Sequence, residues 1–183
     1  MCRSQLIYRK IKLKKAFTLI ELIVVTVLLT ILVGFVAWTF IVGLRTWNSA
    51  MNRADIRQNG NIAIERMVRD LGRTVTITDA DDDTITITVD LDNDGTEETV
   101  TFDMSGTDLQ RTVDGTIRVL SPDVETFELS YRDVDDNLMS IPADVSNQAK
   151  RDNIRVVGIS LDMSKSDDSI TLVSSAYCRN QGT

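Results

Sequence analysis

Phe17-Thr18-Leu19-Ile20-Glu21-Leu22-Ile23-Val24-Val25 begins an apolar run that extends to Leu44, and in those 28 residues Glu21 is the only ionisable side chain. Ahead of it, Met1 to Lys15 carries Arg3, Arg9, Lys10, Lys12, Lys14 and Lys15 and no acid. As a helix the run spans roughly 42 Å at 1.5 Å per residue, more than the roughly 30 Å hydrocarbon core of a bilayer. It crosses with tilt, or with its end emerging. The six leading cations predict a cytoplasmic amino terminus by the positive-inside rule, with everything after Leu44 on the other side. A carboxylate at mid-bilayer costs roughly 2.5–3.5 kcal/mol even on lenient insertion scales. Glu21 is the fifth residue of the run and so lies near an edge, yet it still requires a neutralising partner.

The run is too long for an ordinary secretory signal, whose apolar stretch is about 7–15 residues and ends at a small-residue cleavage site. The best such site after it, Asn48-Ser49-Ala50, has a poor first residue. A cut on the other side of the run leaves a charged amine at Phe17. Glu21 is one helical turn away and can pair with that amine or a neighbour's. A plain signal-anchor, with Glu21 snorkelling to the surface, is the simpler alternative.

A basic leader followed by Phe17-Thr18-Leu19-Ile20-Glu21-Leu22-Ile23-Val24-Val25 resembles the class III signal of type IV pilins and type II secretion pseudopilins. The resemblance implies that a prepilin peptidase cuts between Ala16 and Phe17 and methylates the new amino terminus at Phe17. It also implies that Glu21 pairs with a neighbour's amine and so sets the axial register between subunits. Ala16 stands where the family usually has Gly and is likewise small.

Beyond Leu44, Trp47, Met51, Ala54, Gln58, Ile62, Glu65, Val68 and Leu71 follow three- and four-residue steps, a helical stripe. Arg45, Arg53, Arg57, Arg66 and Arg69 fall mostly on other faces. No proline occurs from Phe17 to Gly72, so one helix is predicted over Phe17 to Leu71, with Gly72 as its stop. The period then changes to two. Thr84 to Val89 alternates and Glu98 to Phe102 answers it across an Asn93-Asp94-Gly95 tip. Leu109–Val113 and Thr116–Leu120 flank Asp114-Gly115, a strong two-residue hairpin signal. Phe127, Leu129 and Tyr131 alternate in a further strand, and Ile154–Met163 and Ile170–Tyr177 form a last pair. Asp133 to Asn153 reads as a long polar loop. The expected class is α+β: a long amino-terminal hydrophobic helix packed by its second half on an antiparallel β-sheet domain. The segments are a leader at 1–16, a transmembrane or filament-core helix at 17–44, an amphipathic continuation at 45–72 and an exported β-rich domain at 73–183. Leu109-Gln110-Arg111, Val124 to Asp133, Val157 to Leu161 and Arg179-Asn180 look like stretches of PilW-type minor pilins and J-type minor pseudopilins.

The net charge of the chain is −7, and loss of the six leader cations takes it to −13. That argues against direct nucleic-acid contact, which needs a basic surface. No histidine is present, which removes Ser/Cys–His catalysis and the usual zinc sites. The carboxylates show no catalytic spacing and no glycine loop cradles phosphate, so no enzyme and no resident cofactor are expected. Cys2 leaves with the leader, and Cys178 is then a lone thiol, expected partly buried and inert. Asp90-Leu91-Asp92-Asn93-Asp94-Gly95 matches the start of a calcium loop. Asp90, Asp92 and Asp94 are the candidate ligands, Thr101 stands where a bidentate Glu belongs, and Glu97 or Glu98 are the substitutes. An ordinary acidic hairpin tip has the same residues. Some pseudopilins bind calcium, which keeps the site in view.

The expected function is a minor pilin or minor pseudopilin, a structural subunit of a tip or initiation complex. Its partners would be other pilins or pseudopilins, prepilin peptidase and an inner-membrane assembly platform. It would sit single-pass in a bacterial inner membrane before joining a pilus or pseudopilus. The alternatives are a membrane-anchored, calcium-dependent adhesion module and a competence pseudopilin acting in DNA uptake.

Overall fold

The apolar run and the amphipathic stretch after it form one helix, α1, over Leu19–Leu71. The computed structural model describes residues 18–143 and 145–178. The chain divides into two units at the Thr46–Trp47 bond. In the first unit no described residue is buried, and the apolar part of α1 is long enough to cross a membrane.

The second unit contains the rest of α1 and eight strands. Strands β1 (Thr76–Ala80), β2 (Ile85–Val89), β3 (Glu98–Ser105), β4 (Asp108–Val113) and β5 (Thr116–Ser121) form one antiparallel sheet in chain order. A second sheet is made of β6 (Val124–Arg132), β7 (Val156–Lys165) and β8 (Asp168–Tyr177), also in chain order. A one-turn helix, α2 (Gln148–Arg151), lies inside the segment predicted to be a loop. The α+β class is as expected.

Alternation fixes which face of each sheet is buried. Ile85 opposes Phe102 and Ile87 opposes Val100 in the first sheet. Phe127 opposes Leu161, Leu129 opposes Ile159 and Tyr131 opposes Val157 in the second. All ten are buried, and with Ile56, Ala63, Met67 and Leu71 of α1 they belong to one core. The Asp114-Gly115 turn is as read: φ is +46° and +82°, the left-handed pair that a two-residue hairpin requires. Asn93 and Gly95 are also left-handed in the eight-residue β2–β3 loop.

Three expectations need correction. The helical stripe is displaced: Met51, Ala54, Gln58, Ile62 and Glu65 are exposed, whereas Ile56, Gly60, Ala63, Met67, Asp70 and Leu71 are buried. The cause is Gly60. A Cβ there would overlap Leu172 Cδ1 and Met163 Sδ, so the helix approaches β7 and β8 through a residue that hydropathy does not count. Gly72 does end α1, but without the left-handed φ of a glycine cap. Its N–H still donates to Val68 O at 2.9 Å, and the chain then tightens through Arg73 N to Asp70 O and Thr74 N to Leu71 O. Cys178 is fully rather than partly buried, and burial pushes its thiol up to about 12. That suppresses the thiolate at neutral pH and keeps it inert.

Candidate functional site

Thr18 precedes α1, and the Glu21 N–H donates to Thr18 Oγ1 at 3.4 Å while Leu22 N–H donates to Thr18 O at 3.2 Å. Thr18 is thus the N-cap and Glu21 the third helical residue, the Thr-x-x-Glu spacing of a capping box. The spacing was legible in Thr18-Leu19-Ile20-Glu21, but the sequence reading assigned Glu21 only a pairing partner. A carboxylate in the first turn also complements the positive end of the helix. Glu21 is exposed, and among the described residues its carboxylate has no ion-pair partner. Ala16 and Phe17, the predicted cleavage and methylation positions, lie outside the described residues.

The acidic tip is the β2–β3 loop. Asp90, Asp92 and Asp94 each offer a carboxylate oxygen, and the three lie within 4.8 Å of one another. The loop's own amides use much of that capacity. Asp90 Oδ1 accepts from Asn93 N at 2.6 Å and Oδ2 from Gly95 N at 3.1 Å. Asp92 Oδ1 accepts from Asp94 N at 3.2 Å, and Asp94 Oδ1 from Thr96 N at 2.7 Å. The backbone and hydroxyl of Thr96 hold the Asp94 carboxyl below its ordinary range. Glu98 Oε2 accepts from Leu91 N at 2.8 Å, and Arg73 reaches Asn93 Oδ1 at 3.0 Å. Thr101 is in β3, its Oγ1 3.0 Å from Thr86 Oγ1, and so belongs to the sheet rather than the loop. The tip brings three hard oxygen ligands together, against the six to eight that calcium takes.

Two polar clusters that periodicity did not reveal tie α1 to the sheets. Asp70 and Arg111 are buried, with Arg111 Nε donating to Asp70 Oδ2 at 2.7 Å and Arg66 Nε 3.5 Å from the same oxygen. At the β7–β8 turn, Ser49 Oγ and Arg53 Nε donate to Asp168 Oδ1 at 2.8 and 2.6 Å, and Lys165 pairs with Asp55 and Asp123. Arg53 and Ser49 hold the Asp168 carboxyl below its ordinary range. Both clusters span more than 40 positions in sequence, so only the assembled fold shows them.

A family model described as the prokaryotic N-terminal methylation motif matches residues 11–37. The chain carries a prepilin-type amino terminus. That motif supports a type IV pilin-like or pseudopilin subunit, and with the apolar part of α1 it makes the chain a membrane-anchored, single-pass protein. A prepilin-type motif implies dealings with prepilin peptidase and with other pilins in general. The match brackets Ala16, Phe17 and Glu21 and ends inside α1. No curated protein matches the chain.

Proposed function

We propose that this chain is a minor pilin or minor pseudopilin, a structural subunit rather than an enzyme, in the tip or initiation complex of a type IV pilus or type II secretion pseudopilus. The observation that carries the reading is the methylation motif at 11–37 running into a helix whose membrane-length part contains no buried residue. Such a helix is stable only when lipid or other helices cover it. The chain enters the inner membrane as a precursor, is cut before Phe17 and joins a bundle of similar helices. Glu21 then neutralises a neighbouring amine. The extent of the strand domain and its long 133–153 connection suit a minor subunit better than a repeated major one. Intact mass and amino-terminal sequencing of protein from its native membrane test the proposal. A chain beginning at N-methylated Phe17 supports it, and one that still begins at Met1 overturns it in favour of a plain anchored module.

The convergence of Asp90, Asp92 and Asp94 favours a second element, calcium bound at the β2–β3 tip. Titration calorimetry with calcium on the whole chain in detergent, with Asp92→Asn as the comparison, tests it. Heat of binding that the variant loses supports the site, and no heat from either protein removes it.

A further inference from the structure

Each sheet has an edge that the fold covers. Gln148 Nε2 of α2 donates to Ile77 O of β1 at 3.0 Å. On β6, Leu129 N donates to Asp82 O at 2.6 Å, Val124 N donates to Thr107 O at 2.9 Å, and Tyr131 O accepts from Met139 N at 2.9 Å. β5 is different. Among the described residues it pairs only with β4, and Thr116, Ile117, Arg118 and Val119 are all exposed. Neither Pro nor Lys lies in it; its edge protection is confined to a bulge at Leu120, between Val119 and Ser121, and to the single charge of Arg118.

The hairpin turn determines which backbone groups the edge presents. Val113 and Thr116 close the two-residue turn, so they are a hydrogen-bonded pair, and so is Arg111 with Arg118. The N–H and C=O of Ile117 and Val119 therefore point away from β4. Their side chains lie on the outer face of the sheet, 61 % and 51 % exposed. Two donors, two acceptors and two β-branched side chains are thus aligned on one open edge. β8, the outer strand of the other sheet, also exposes Val173 and Tyr177, 75 % and 60 % exposed, among Ser169, Thr171 and Ser175, but none of these five positions carries a charge.

Charge specifies what the edge accepts. Arg118 is directly opposite Arg111, and like charges in that position repel. The one carboxylate on Arg111 is Asp70, which Arg66 shares. Among the described residues Arg118 has no ion pair. A second copy of this strand is the wrong occupant, because the antiparallel register that uses all four outward groups sets Arg118 against Arg118. We propose that β5 is a docking edge for an extended strand of a different exported chain, with apolar side chains flanking one carboxylate. Main-chain hydrogen bonds to Ile117 and Val119 supply the affinity, and the carboxylate facing Arg118 supplies the choice of partner. The inference stands apart from the filament reading, since amino-terminal processing tests the one and strand addition the other.

The test uses the full chain in detergent, with an acetylated and amidated Thr-Val-Glu-Val-Thr peptide as probe and Thr-Val-Lys-Val-Thr as its counterpart. Amide exchange is read at Ile117 and Val119. The acidic probe is expected to slow exchange at both about tenfold when present at about ten times its Kd, as mass action requires. Arg118→Glu should transfer that protection to the lysine probe. Val119→Pro should abolish it without shifting the unfolding midpoint, because its N–H does not serve β4. Absence of protection by either probe, equal protection by both, or protection that survives Val119→Pro would each overturn the proposal.

Discussion

Glu21 and Asp70 are carboxylates on the same helix in opposite circumstances. Glu21 is exposed, with only its backbone engaged by Thr18. Asp70 is 2 % exposed and faces two arginines. Asp70→Asn leaves Arg111 buried without its counter-charge, and loss of one member of such a pair typically costs about 3–5 kcal/mol. Urea unfolding should register that loss as a lower midpoint at unchanged slope. Glu21→Ala should behave differently: membrane insertion and the fold of the strand domain persist, while incorporation into filaments falls. Immunoblotting of membrane and sheared-filament fractions checks this, and full incorporation of the variant removes the register role. Asp168 carries a pH dependence. Its carboxyl is held below the ordinary value of about 3.9 by Arg53 and Ser49. The native state therefore binds the proton less readily than the unfolded chain, so the contribution is complete above the unfolded pKa and is lost as pH falls through the folded one. Lys165, raised by Asp55 and Asp123, has the opposite sign and loses its contribution only as pH rises through its folded pKa. Stability measured from pH 5 downward should fall less steeply in Asp168→Asn than in the parent chain.

Among the elements, those with a clear period were legible. β2, β3, β4, β5 and β6 follow the alternation of Ile85 to Val89, Val100 with Phe102, and Phe127 to Tyr131, and Asp114-Gly115 sets its turn through backbone sterics alone. β1 was missed because Thr76–Ala80 contains one strong apolar residue, Ile77, before it runs into acids. α2 was missed because four residues carry no period. It is held by the Asn147 side chain at its start, which accepts from Lys150 N at 3.1 Å, and by Gln148 on β1. The α1 stripe was misplaced because its centre, Gly60, has no side chain to count. Its contact can be tested by filling it. Gly60→Val puts atoms where Leu172 and Met163 already lie, and overpacking of this kind costs about 1–3 kcal/mol. A lower melting temperature with unchanged far-ultraviolet dichroism is the expected result. The amino-terminal motif at 11–37 was legible because its pattern is local: cations, a small residue, Phe17 and Glu21 lie within a few positions of one another. The Asp70–Arg111 and Asp168–Arg53 pairs were not, because no local pattern joins residues so far apart in the chain.

For the whole molecule, the division at Thr46–Trp47 separates a part with no core from a part that has all of it. Every buried hydrophobic side chain among the described residues is Ile56 or later, and Ser49 and Arg53, which fasten the β7–β8 turn, are also on the later side. A chain begun at Trp47 should accordingly fold cooperatively in water without detergent. Coincident fluorescence and dichroism transitions on urea unfolding would establish it, and separate transitions would mean that the core depends on residues before Trp47. The bare surface of the first unit has a further consequence. Lipid tails and the leucine-rich flanks of other helices are almost the same solvent to such a surface, so moving it from one to the other releases little free energy in either direction. On the filament reading proposed above, the apolar stretch that ends at Leu44 is a passenger, indifferent to its destination except at Glu21. On that reading work done elsewhere would decide which way it travels, and the same indifference would make the journey back no harder than the journey out.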